Sequence, residues 1–264
     1  VSTTLIPARI QGYAARDADI AVILRRGPTE WVQAVTWNLA TDEVTGGQWF
    51  HGRIYEYECD ISPNGRLFVY SARKDTSKQG KDALGTDYWV AICRPPYFTA
   101  LALWEVGWAE AGGAEFRSDT ELGLNLRSIR SFEPSKGSLA GGRIVTDGMA
   151  VYDHVLFARK LQRNGWQEIG AYTYGKASES GEIALKVKTV QFRTEYSYSC
   201  VVNGMDIEEL RTAGWADLDP QGRLIYSRLG CLWRYEPGKG PILVADLNDR
   251  RPERVVVPDW ARAW

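Results

Sequence analysis

The residues from Gly46 to Asp60 hold the densest group of chemically capable side chains in the sequence: Trp49, Phe50, His51, Arg53, Tyr55, Glu56, Tyr57 and Glu58. A histidine beside an arginine, a tyrosine and carboxylates could act as a general base or as part of an anion-recognition element. The structural alternative is a strand. Tyr55, Tyr57 and Cys59 would then form one face, with Glu56 and Glu58 toward solvent. Gln48 to Tyr55 follows no such period of two and is harder to explain by packing. Two further segments, Arg25-Arg26-Gly27-Pro28 and Arg94-Pro95-Pro96-Tyr97, place arginine where an apolar strand meets a turn. A guanidinium there can fork onto an anion, or it can make an ordinary surface ion pair of little energetic weight. Arg25, Arg26, Trp49, His51, Arg53, Tyr55, Arg94 and Tyr97 are therefore the candidate ligand- or partner-binding residues.

A second set of candidates comes from acids that recur along the chain, Asp60, Glu110, Glu168 and Asp217. Two such carboxylates facing each other across a channel would suit glycoside hydrolysis, and a ring of them would suit Ca²⁺. The simpler role of an acid just before a Pro-x-Gly turn is to cap the local backbone. The sequence contains no GxSxG, Walker A or HExxH motif, and its two histidines exclude a histidine-rich metal centre. No metal or other cofactor is expected.

The elements that would position these residues read as short β-strands. Ile20–Leu24, Trp31–Trp37, Leu67–Tyr70, Tyr88–Cys93, Phe98–Trp104, Val151–Phe157, Ile183–Phe192, Tyr196–Val202, Leu224–Tyr226, Cys231–Tyr235, Ile242–Leu247 and Val255–Val257 are apolar or alternating runs, nearly all separated by turn residues. Asn203-Gly204 is a type I′ hairpin signal; the alternative for the residues that follow is a short helix with Asp206 as its cap, Glu209 closing a capping box and Gly214 ending it. No segment makes a convincing helix of about 12 residues or more.

Internal repetition organises these strands. Asp60-Ile61-Ser62-Pro63-Asn64-Gly65-Arg66-Leu67-Phe68-Val69 matches Asp217-Leu218-Asp219-Pro220-Gln221-Gly222-Arg223-Leu224-Ile225-Tyr226 at the Asp, Pro, Gly, Arg and Leu positions. Pro fixes φ, Gly supplies φ > 0, and an apolar strand follows at once, so each copy is a tight hairpin. A shorter Gly-Trp-x-acid echo begins at Gly107, Gly165 and Gly214. The implied spacing of about fifty residues is that of a four-stranded propeller blade. The expected fold is all-β, a β-propeller of five four-stranded blades across residues 1–264; six shorter blades would also fit.

The Asp217–Tyr226 and Cys231–Tyr235 segments resemble the repeats of TolB-like and WD40-like propellers, although the Trp-Asp and Gly-His dipeptides of true WD40 repeats are absent. The chain also resembles a group of uncharacterised bacterial proteins through Arg25-Arg26-Gly27-Pro28, Gly47–Tyr55 and Arg94–Trp104. Neither resemblance implies an activity.

A chain of 264 residues buries enough surface to fold without staples. Cys59, Cys93, Cys200 and Cys231 form no CxxC pair and read as buried free thiols of a reducing compartment. The first eleven residues show no apolar signal-peptide core and no run reaches membrane-span length, so a cytoplasmic protein without membrane contact is expected. A net charge of −1 argues against a general nucleic-acid binder. The expected function is binding, with a protein partner or a small molecule as target. The alternatives are a hydrolase or lyase acting on a sugar or lactone through channel carboxylates, and a structural subunit of a larger assembly. The eleven Trp and thirteen Tyr suit a binding face, but β-rich folds also use such residues structurally.

Overall fold

The computed structural model describes residues 6–27, 30–74, 88–106, 113–125, 134, 136–137, 141–145, 151–190 and 196–264. Five small sheets follow one another along the chain and stand in a ring. The fold is a five-bladed β-propeller.

Blade 1 is a four-stranded meander of Arg9–Ala14, Ile20–Arg26, Trp31–Asn38 and Val44–His51. Blade 5 repeats that plan with Ala213–Leu218, Leu224–Arg228, Cys231–Glu236 and Gly240–Asp246. The blades between them depart from it. In blade 2 the short strands Arg53–Ile54 and Asp60–Ile61 both pair with Phe68–Arg73, followed by Tyr88–Cys93, Ala102–Glu105 and Lys136–Gly137. Blade 3 has three strands, Ala114–Phe116, Glu121–Leu124 and Arg143–Val145, the last two parallel. Blade 4 has five, Gln167–Gly170, Thr173–Ala177, Ile183–Thr189, Tyr196–Val202 and Met205–Asp206.

Alternation along each strand explains how the blades stack. In blade 1, Val22 and Leu24 pack with Phe68 and Tyr70 of blade 2, while Ala21 and Ile23 pack with Trp215 and Ile225 of blade 5. Both faces of Ile20–Arg26 are covered, which is why its sequence is continuously apolar. Val69, on the other face of its strand from Phe68, joins Trp104, Phe116 and Leu122 between blades 2 and 3. Tyr198, Leu218 and Tyr226 fill the space between blades 4 and 5. Trp37, Trp104, Trp166 and Trp215 are all buried in these layers, so much of the aromatic content is structural.

Each blade also closes one hairpin with a similar bond, from Ala15 N to Ile20 O, Ser62 N to Leu67 O, Arg117 N to Glu121 O, Ser178 N to Ile183 O and Asp219 N to Arg223 O. Both Pro-x-Gly turns lie here, with Gly65 at φ +72° and Gly222 at φ +75°. Neighbouring tips touch: Asp17 N donates to Pro63 O at 2.9 Å and Asn64 N to Asp119 Oδ1 at 2.8 Å. The residues two positions before these bonds are Tyr13, Asp60, Glu115, Lys176 and Asp217. That corrects the expected series of acids. Glu115 stands in the third blade, a lysine in the fourth and a tyrosine in the first. Glu168 lies exposed on an edge strand, and Glu110 is outside the described residues, as is the Gly107 copy of the Gly-Trp echo.

Two further expectations are corrected. Val151–Phe157 is not a strand: helix α1 spans Asp153–Arg163. Glu56–Glu58 is a 3₁₀ turn rather than strand, and Glu58 is buried rather than solvent-facing. Asn203-Gly204 does form the hairpin turn, both residues having positive φ. All four cysteines are free, and only Cys231 is not fully buried.

Residues 247–264 run back from blade 5 across blades 1 and 2. Asn248 Oδ1 accepts from Ala8 N at 2.9 Å. Arg25, 3% exposed, donates from Nε to Leu247 O and from Nη2 to Asn248 O, each at 2.9 Å, with its guanidinium over the Trp49 ring. Trp260 meets Tyr97 edge-on, Arg94 Nε donates to Ala263 O at 3.0 Å, and Trp264 packs on the cluster between blades 2 and 3. Arg25→Ala leaves two carbonyls without a donor and a gap over Trp49. It is expected to destabilise the protein by about 2 kcal/mol in urea unfolding. Arg26→Ala, on the opposite face of the strand, is expected to stay within about 0.5 kcal/mol. Equal losses from both variants would show that the strap contact carries no special weight.

Candidate functional site

Helix α1 leaves blade 3 and enters the ring. Its basic face meets the acids there. Arg163 donates from Nη1 at 2.6 Å and Nη2 at 2.9 Å to the Asp60 carboxylate, which also accepts from Phe116 N at 2.7 Å. Arg159 lies 4.0 Å from Glu115. Lys160, almost fully buried, donates to the backbone oxygens of Tyr57 and Cys59, the residues flanking Glu58, and burial pulls its pKa down. Asp217 is engaged by Lys176 at 2.7 Å. The acids at the equivalent positions therefore each face a cation of the protein itself. Among the described residues, no group of three or more His, Cys, Asp or Glu side chains is placed to hold a metal ion.

With α1 in place the ring interior is divided. A central pocket of about 60 Å³ remains among Tyr13, Phe157, Trp166, Tyr198 and Trp215, room for water but not for a substrate. On the hairpin-tip face lies a pocket of about 280 Å³ beside Arg16, Arg163 and Lys176. The opposite face opens into a cleft of about 740 Å³, within the usual range for small-molecule sites.

The cleft is built from strand ends of several blades. Arg9 and Arg26 come from paired ends in blade 1, Arg53, Tyr55, Glu56, Tyr57 and Glu58 from the start of blade 2, Asp153 from α1, Tyr196 from blade 4 and Arg228 from blade 5. Arg9, Arg26 and Arg53 all act on Glu56, whose pKa burial raises and the three arginines lower. Arg26 is itself lowered, first by burial and then by its like-charged neighbours. The side chains of Arg9 and Arg26 make no hydrogen bond or ion pair among the described residues, while Arg53 lies over the Tyr55 ring at 4.7 Å. Arg228 donates from Nε to Thr212 Oγ1 at 3.0 Å. On the cleft wall, Glu58 is 1% exposed and accepts a short hydrogen bond from the Tyr88 hydroxyl. Burial pushes its carboxyl up to about 7.

The eight residues singled out in the sequence thus divide. Arg26, Arg53 and Tyr55 meet in the cleft. Arg25, Trp49, Arg94 and Tyr97 lie against the 247–264 strap or beneath Arg25. His51 is exposed at the end of an outer strand, against Trp31 and 3.6 Å from Glu30. The cleft adds Arg9, Arg228, Glu58 and Asp153. Arg9 and Arg228 carried a usable signal, since each is an arginine at a strand end, as Arg26 is.

No family model matches the chain, and none of the curated proteins does. Among solved structures it is similar to the uncharacterized protein lmo1340 from Listeria monocytogenes EGD-e. The match covers 95% of this chain and 86% of that one, at 8% identity and a TM-score of 0.33. A likeness this distant carries no function across, and the five-bladed assignment rests on the arrangement of the sheets.

Proposed function

We propose that the protein is a binding module whose 740 Å³ cleft takes a small anionic ligand. The observation that carries this reading is the convergence of Arg9, Arg26 and Arg53 on one concave surface, where all three act on Glu56 and Arg9 and Arg53 act on Arg26. Like charges gathered in a partly desolvated cleft repel one another, and a bound anion relieves that repulsion while accepting their forked N–H donors. Catalysis through the recurring acids finds less support, because Asp60 and Asp217 are already ion-paired.

Isothermal titration with citrate at low ionic strength tests the reading. Arg26→Ala and Arg53→Ala are each expected to weaken binding at least about tenfold, near 1.4 kcal/mol, and added salt is expected to weaken it further. An absence of binding, or variants that bind as the parent does, would overturn the proposal.

A further inference from the structure

We infer that the anion taken by the cleft is the phosphate monoester group of a small molecule, held by the guanidinium groups of Arg9, Arg26 and Arg53. This rests on the anionic-ligand reading above and narrows it by charge and shape.

Charge comes first. The cleft presents four guanidinium groups, Arg9, Arg26, Arg53 and Arg228, against the carboxyl groups of Glu56, Glu58 and Asp153. Glu58 is deeply buried and hydrogen-bonded to Tyr88, and it is the carboxyl most readily held neutral. With Glu58 protonated, the lining carries two more positive than negative charges. A single carboxylate would leave one of these unmatched. A phosphate monoester carries a charge of about −1.5 to −2 near neutral pH and cancels both. Glu30, which also acts on Arg26, is exposed and sits beside His51 outside the cleft lining.

Shape points the same way. Three arginines from two blades offer donors from different directions, which suits a tetrahedral group with three terminal oxygens better than a planar carboxylate. Stacking on Tyr55 restrains the plane of Arg53 and so fixes the direction of its N–H groups. The remaining lining mixes aromatic and apolar residues, among them Tyr57, Tyr196 and Ala213, with the polar Gln11, Thr212 and Ser227, which suits an organic part carrying both carbon and hydroxyl groups. A concave site of this size fits a small molecule rather than an extended chain.

The test is calorimetric titration of the whole chain with glucose 6-phosphate, glucose, inorganic phosphate, sulfate, acetate and a phosphoserine peptide in one low-salt buffer at pH 6.8. Glucose 6-phosphate is expected to bind at least tenfold tighter than acetate, with glucose showing no binding. Arg26→Lys, which keeps the charge but loses the fork, is expected to lower that preference severalfold, with its melting curve confirming the fold. If acetate binds as tightly as the phosphates, the phosphate assignment fails while the anionic-ligand reading stands. If no anion binds, both fail. If the phosphopeptide binds tighter than every small ester, the small-molecule assignment is overturned.

Discussion

Arg163→Met is expected to destabilise the protein by about 3–5 kcal/mol, the usual result of stripping a buried charge of its partner. Methionine replaces much of the aliphatic stem, so the loss falls on Asp60. That carboxylate is 3% exposed, and of its hydrogen bonds among the described residues it keeps the one from Phe116 N once both guanidinium contacts are gone, with the Lys160 ammonium as the remaining nearby cation. Asp60→Asn in the same background removes the stranded charge yet still offers Phe116 an acceptor. A double-mutant cycle in urea should therefore return a coupling of about 1–3 kcal/mol, the double variant being more stable than the two single losses predict. A cost below about 1 kcal/mol for Arg163→Met would mean that α1 is held in the ring by packing, through Leu156 and Leu161, and not by its charges.

The second large effect appears only as a function of pH. Burial raises the Glu58 carboxyl from its ordinary 4.5 to about 7, with Asp153 adding to the shift and the Tyr88 hydroxyl, Ser71 and Lys160 opposing it. In the unfolded chain the proton leaves near pH 4.5; in the folded protein it stays until about pH 7. Between those values the native state binds the extra proton, so stability falls as pH rises, and above pH 7 the full penalty remains. At 1.36 kcal/mol per pKa unit this is on the order of 3 kcal/mol. Glutamine cannot ionise and can still accept from Tyr88. The stability difference between Glu58→Gln and the parent should shift in the variant's favour by that amount from pH 4.5 to 7.5, other carboxylates cancelling in the comparison. Parallel profiles from urea titrations across that range would show that Glu58 ionises normally.

Local chemistry was readable wherever it decided the structure. Ser62-Pro63-Asn64-Gly65, Asp219-Pro220-Gln221-Gly222 and Asn203-Gly204 specify their turns within four residues or fewer, and the last three strands of blade 5 lie within a few residues of where the runs Leu224–Tyr226, Cys231–Tyr235 and Ile242–Leu247 place them. What stayed hidden depends on distant partners. Val151–Phe157 has the composition of a strand, and the apolar face of the helix, Phe157, Ala158 and Leu161, is confined to little more than one turn, while Lys160 is the residue its continuation buries most deeply. Arg25 and Arg26 are adjacent and chemically identical. The pleat sends one to the carbonyls of Leu247 and Asn248, over 220 residues on, and the other to the cleft. Nothing in their own turn tells them apart. The strand alternative puts Glu58 toward solvent only if a period of two runs through residues 56–58, and these form a 3₁₀ turn instead.

The strap has a consequence for how the chain reaches this shape. Each blade draws almost all of its strands from one contiguous stretch and so can begin to form from nearby residues. Joining Ala8 to Asn248, or Arg25 to Leu247, instead requires the two ends of the chain to meet across 240 and 222 residues. For a disordered chain, closing a loop that long costs on the order of 5 kcal/mol in entropy. Each blade that folds first shortens the span left to close. The favourable order is therefore blades before ring, with the union of the first and fifth blades as the slow, late event in folding.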